Sequence, residues 1–175
     1  LERASAEGYG EASLLLGDWF ATYKATPVAE DDRKALGCWI KAAADSPSDH
    51  GLQARVGQRV IKFVRDGRGV GEGYSEPVDF VRSMATMRNP EAMLLMSEIY
   101  DQGRYVEPSP STALALLRDL ASNATVQPVL RAEAQRRMAE MYAVGRGSSV
   151  SDTAARTWFE RSAQLGNAKA MTAMA

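Results

Sequence analysis

The chain has 175 residues, 45% of them apolar and 25% charged, with a formal charge of −1 and a pI near 5.9. So balanced a charge supplies no global field for a polyanion, which argues against nucleic-acid binding, and no stretch approaches the ~20 apolar residues of a bilayer span. A single cysteine, Cys38, excludes an internal disulfide, and a single histidine, His50, excludes a two-histidine metal motif. Alanine occurs 28 times, against 15 for valine and isoleucine together, so the composition points to an all-α protein with closely approaching helices.

In chain order the apolar spacing predicts nine helices, over 10–24, 31–45, 49–66, 76–87, 90–103, 110–122, 128–145, 152–165 and 167–175. Glu30, Asp31 and Asp32 open the second, where acidic side chains suit the positive end of the helix dipole. Pro47 and Pro128 lie in longer connections that lead into the third and seventh helices. Gly67, Gly103 and Gly145 stand where a left-handed residue is expected to end a helix. Asn89, Ser109 and Ser151 are expected to cap the next helix starts with their side chains. The chain begins at Leu1 and ends within a helical pattern, as an excerpt of a longer protein would.

These helices fall into pairs that repeat. The clearest unit runs Ala132-Glu133-Ala134, Met138-Ala139, Tyr142, Gly145-Arg146-Gly147, Ala155, Trp158-Phe159 and Ser162-Ala163, and it restarts at Ala168-Lys169-Ala170. A first copy reads Gly10, Ala12, Leu16-Gly17, Phe20, Ala35, Cys38-Trp39 and Ala42-Ala43. A third reads Pro90, Ala92, Met96-Ser97, Tyr100, Gly103, Ala113, Leu116-Leu117 and Leu120-Ala121. The second is the most worn, with Val64 and Phe80 in place of the Tyr and Trp. Equivalent positions are 12, 56, 92, 134 and 170, spaced by 44, 36, 42 and 36. One such pair cannot bury its apolar face alone, and stacked pairs share a continuous core.

This pattern resembles the Sel1-like repeat, a relative of the tetratricopeptide repeat. The resemblance implies an α/α superhelical solenoid of about four and a half helix hairpins, with repeats near 8–45, 49–86, 89–122 and 128–165 and a partial one over 166–175. It implies a non-enzymatic scaffold or adaptor that binds a protein or peptide partner, without cofactor, metal or membrane insertion in this segment. The leading setting is a periplasmic or exported bacterial protein. An alternative is an envelope or exopolysaccharide-associated module that contacts glycan or secretion machinery. Direct glycan binding is disfavoured because Trp19, Trp39, Trp158, Phe20, Phe80 and Phe159 mostly fall on motif positions expected to be buried.

If the repeat packs like its tetratricopeptide relatives, the first helix of each pair lines the concave side. That places Arg55, Gln58, Lys62 and Arg65 of the second copy in the groove, with Leu94, Glu98 and Asp101 of the third and Arg136 and Glu140 of the fourth. Glu11, Leu14, Asp18, Glu91 and Glu133 continue the same face. Arg55, Lys62 and Arg65 form a basic patch suited to a carboxylate-bearing partner.

Other motifs read as structural. The glycine run 67–73 lacks the Gly-Lys-Ser/Thr of a phosphate loop and reads as an inter-helix connection. Cys38 reads as a core residue, His50 as an exposed residue near a helix start, and the methionines as core filler.

Overall fold

The computed structural model describes residues 1–23, 28–71 and 74–173. Among the described residues there are ten helices and no strand: α1 Glu2–Ala6, α2 Gly10–Thr22, α3 Val28–Asp45, α4 His50–Arg65, α5 Glu76–Thr86, α6 Pro90–Gln102, α7 Pro110–Ser122, α8 Pro128–Val144, α9 Asp152–Gln164 and α10 Ala168–Ala173. Each of the nine expected helices has its counterpart. The addition is α1, whose five residues are too few to show a helical period. Residue 24, residues 72–73 of the glycine run and residues 174–175 of the last expected helix lie outside the described residues.

The local signals explain most boundaries. Asn89 and Ser151 accept hydrogen bonds from the backbone N–H of Ala92 (3.0 Å) and Ala154 (3.2 Å). Asp49 does the same for α4 through the Leu52 N–H, at 2.9 Å. Ser109 does not cap α7, because its hydroxyl is engaged with Thr112 Oγ1 at 2.7 Å. Gly103 and Gly145 end α6 and α8 in the left-handed region, at φ +65° and +72°. The third helical element begins three residues earlier than the acidic cluster suggested, so Asp31 and Asp32 sit inside its first turns and are buried.

The chain divides into two compact units, Leu1–Met84 and Ala85–Ala175. In the first, α2 packs on α3 and α3 on α4. Its core includes Leu14, Leu36, Trp39, Leu52, Val56 and Val60, each at most 2% exposed. Trp39 can lie flat in that core because a small residue faces it: a Cβ on Gly17 would come within 2.5 Å of the indole ring. Phe63 meets the same indole edge-on, with centroids 4.7 Å apart. In the second unit α6 packs on α7, α7 on α8, and α8 on α9. Leu95, Met96, Ile99, Leu117, Leu120 and Met138 form that core, each at most 2% exposed.

Of the aromatics expected inside, only Trp39 is buried. Phe20, Phe80, Trp158 and Phe159 are half-buried, and Trp19 is 42% exposed and stacked on Tyr23. Cys38 is half-buried rather than a core residue, and its burial pushes the thiol pKa up, away from a reactive thiolate. His50 is exposed at the start of α4, as expected.

Candidate partner-binding cleft

Counted from the equivalent positions 12, 56, 92 and 134, the third residue of one copy reaches the sixth of the copy before it. In the first unit Arg59 donates from Nε and Nη2 to the two Asp18 carboxylate oxygens, at 2.6 and 2.8 Å. Trp39 Nε1 donates to the same carboxylate at 3.0 Å. In the second unit Arg137 pairs with one Glu98 oxygen through Nη2 and donates from Nε to Glu133 at 2.8 Å. Both arginines join successive first helices, α2 to α4 and α6 to α8. A bidentate guanidinium fixes register as well as adding attraction.

A second recurring contact lies ten residues further on, in the loop after each first helix. Gly69 and Gly147 both have left-handed backbones, at φ +67° and +73°. A Cβ on Gly69 would fall 2.8 Å from the Asp32 backbone, and one on Gly147 would fall 2.4 Å from the Pro110 carbonyl oxygen. Each loop therefore lies directly on the start of the preceding second helix, an approach only glycine permits. This is the structural reading of the glycine run, for the residues described. Tyr105 holds the same place in the third copy at φ +68°.

The second unit leaves a cleft of about 330 Å³ between α6 and α8. Ser97, Glu98, Asp101 and Gln102 form the α6 wall; Arg136, Arg137, Glu140, Met141 and Val144 form the α8 wall; Leu117 lies between them and Arg146 at one end. Four expected groove residues, Glu98, Asp101, Arg136 and Glu140, thus come together here. Leu94 does not join them, since it is only 7% exposed, and Leu14 at the matching place in the first copy is 1% exposed. That face of the first helix is turned into the core when its residue is apolar.

The remaining expected residues lie on α4 of the first unit. Arg55, Gln58, Lys62 and Arg65 are all exposed. Arg55 is paired with Glu11 of α2, so the basic patch is partly neutralised within its own unit.

The cleft's charges are strongly tied to one another. Arg136 donates to both Glu133 oxygens, at 2.7 and 3.0 Å, and also to Glu140. Burial works against the Glu133 carboxylate, but the hydrogen bonds from Arg136 and Arg137 and their charge outweigh it and hold its pKa down to about 2. The Arg136 pKa rises correspondingly, chiefly through the Glu133 hydrogen bond. Arg146 Nη2 lies 2.9 Å from Asp101 Oδ1, yet its hydrogen bond runs to the Asp101 backbone carbonyl, at 2.7 Å. The buried Oδ1 accepts no hydrogen bond among the described residues.

Of the cleft's charged residues, Arg137 and Arg146 escaped the sequence reading, as did its uncharged lining. Arg146 had a visible signal, because it stands between two glycines as Arg68 does. Arg137 had none, since a helical-face count put it one residue off the exposed stripe. Among the described residues no cluster of three or more histidine, cysteine or acidic side chains could hold a metal ion, and no helix is long and apolar enough to cross a membrane.

With this geometry established, the family is clear. The Sel1 repeat model matches residues 10–46, 90–123 and 132–167, together more than half of the chain. The chain belongs to the Sel1 repeat family. The segment between the first two matches contains the worn second copy. A Sel1 repeat protein from Oxalobacter formigenes is 24% identical over 97% of this chain, with a TM-score of 0.60. A protective antigen present in uropathogenic Escherichia coli strains, displaying an SLR fold, is 22% identical over 99% of it, with a TM-score of 0.61. This chain spans 62% and 34% of their respective lengths. No curated protein matches it. The fold is therefore an all-α solenoid of Sel1 hairpins, a class that generally serves protein–protein interaction and is typically non-catalytic.

Proposed function

We propose that this chain is a scaffold or adaptor that holds a peptide segment of a partner protein in the α6–α8 cleft. The observation that carries this reading is the convergence there of Glu98, Asp101, Arg136 and Glu140. Three features support a peptide. The walls carry both signs of charge, so the matching ligand is itself polar along its length and fixed in register by charge. Asp101 and the half-exposed Arg146, paired at 2.9 Å, offer a carboxylate and a guanidinium to a peptide's polar groups. Leu117, Met141 and Val144 offer an apolar seat for one side chain. Among the described residues no aromatic ring lines the cleft, which weighs against glycan stacking there.

The test is partner affinity in Val144→Asp and Arg146→Glu, measured by calorimetric titration against the partner recovered from the native cell. Each is expected to weaken binding roughly tenfold or more, the effect of losing ~1.4 kcal/mol. Val129→Asp, at a site 75% exposed on the same helix but away from the cleft, is the control and leaves affinity unchanged. Equal affinity in all three variants would refute the cleft. Loss of binding in Arg55→Glu combined with Lys62→Glu instead would move the partner to the basic face of α4.

A further inference from the structure

The charges of the α6–α8 cleft do not balance. Glu140, Arg136, Glu133, Arg137 and Glu98 form one chain of contacts, in which carboxylates outnumber guanidiniums by one. Both arginines are drawn toward Glu133: Arg136 donates to both of its oxygens and Arg137 to one. The Glu133 side chain, in the middle of the chain, is 24% exposed, whereas that of Glu140, at its end, is 54% exposed. The surplus negative charge is therefore presented to solvent at Glu140. Asp101 and Arg146 pair with each other and add no net charge.

The repeat shows how the surplus arises. Counted from the equivalent positions 12, 92 and 134, Asp18, Glu98 and Glu140 share the sixth place. Asp18 takes the Arg59 guanidinium and Glu98 takes that of Arg137, each from the third place of the copy that follows. Counted from 170, that third place is Ala173 of α10, whose methyl carries no charge. Glu140 has instead a share in Arg136, from its own helix. Lys62 holds the sixth place of the second copy, so the repeat itself does not require an acid there.

The surroundings of Glu140 narrow the chemistry further. Val144 stands one turn along α8, where side chains four residues apart are neighbours, and it is 65% exposed. Both residues line the cleft. A carboxylate one turn from an exposed aliphatic surface suits a side chain with an apolar stem and a cationic head, the combination that lysine and arginine offer. On the reading of the cleft as a peptide site, we propose that it selects a basic segment of the partner: one lysine or arginine lays its stem on Val144 and its head group against the Glu140 carboxylate. That cation supplies to Glu140 what Arg59 supplies to Asp18 and Arg137 to Glu98. The balanced Asp101–Arg146 pair serves the neighbouring polar groups of the same segment.

The experiment selects a random peptide library displayed on phage against the full chain and against Glu140→Lys, which turns the surplus of the same network positive. The unaltered chain is expected to enrich peptides with lysine or arginine beside an aliphatic residue, and Glu140→Lys to enrich aspartate or glutamate instead. The enriched basic peptide is then synthesised with a fluorescent label and titrated by anisotropy. Glu140→Gln is expected to weaken it roughly tenfold and Val144→Ser roughly threefold, while Val129→Ser, away from the cleft, leaves affinity unchanged. Far-UV circular dichroism checks that each variant melts as the unaltered chain does. Enrichment of acidic peptides by the unaltered chain, or a loss in Val144→Ser with none in Glu140→Gln, would overturn the basic specificity and leave the cleft as the binding site. Equal affinity in the unaltered chain, Glu140→Gln and Val144→Ser would put the peptide elsewhere and overturn both readings, as would a library from which no peptide is selected.

Discussion

Arg68 in the first unit and Arg146 in the second occupy the same place in their repeats, between two glycines, yet they do different work. Arg68 turns inward: it donates to both Asp32 oxygens, at 2.5 and 3.1 Å, and covers the Phe63 ring at 3.9 Å. The Asp32 side chain is only 3% exposed, so this guanidinium neutralises a buried charge. Arg146 stays half-exposed at the end of the cleft, beside Asp101. The difference comes from the preceding second helix. α3 presents an acid in its first turns beneath the loop, and α7 presents Pro110 and Ser111. One repeat position can thus serve the core or a binding surface, according to what the neighbouring copy places under it.

The sharpest way to break that contrast is to remove both arginines. Arg68→Ala leaves Asp32 buried without its guanidinium, and chemical denaturation is expected to show a loss of about 3–5 kcal/mol. Arg146→Ala removes a half-exposed pair and is expected to cost about 0–1 kcal/mol. Equal costs would mean that burial of the acid does not set the role. Next in size is the loop contact itself. Gly147→Ala strains a left-handed backbone and drives a methyl into Pro110, for an expected loss of ~2–3 kcal/mol. Gly166→Ala, with the same kind of backbone and nothing within 4 Å, isolates the strain alone at ~1 kcal/mol.

The acid response separates the units further. The Glu133 pKa is depressed to about 2 from an ordinary value of 4.5, so its contribution is present above pH 4.5 and is lost as pH falls toward 2. Over that window the second unit is expected to lose about 2 kcal/mol, and Glu133→Gln should flatten the pH dependence of its denaturation midpoint. A smaller effect concerns the joints between first helices. Arg59→Ala and Arg137→Ala are each expected to cost about 1 kcal/mol, with Arg137 the costlier because its partners are less exposed than Asp18. A double-mutant cycle with Asp18→Ala or Glu98→Ala measures each joint directly.

Helix positions were legible because their signals are local. Asn89, Ser151, Gly103 and Gly145 terminate helices through atoms within a few residues of themselves, so sequence neighbours suffice. The repeat was legible because each hairpin solves the same burial problem with the same small and large residues. Most of the cleft's charged residues were legible for a related reason: Glu98, Asp101, Arg136 and Glu140 follow a helical face count. Leu94 shows the limit of that count, since its side chain is drawn into the core where a polar residue would stay outside. The fate of the aromatics was not legible, because a motif position does not fix how far its neighbours cover the ring: Trp39 is 2% exposed and Trp19 42%.

The amino-acid order by itself determined the helices, their pairing and the family, since periodicity, caps and loop glycines act over one or two turns. Only the tertiary structure decided that Asp32 is a buried anion held by Arg68, that Arg137 joins α8 to α6, and that Arg146 pairs with Asp101. Those outcomes depend on charges brought together from residues about forty positions apart. Their energies are set by distance and by exclusion of water, neither of which can be read along a single helix.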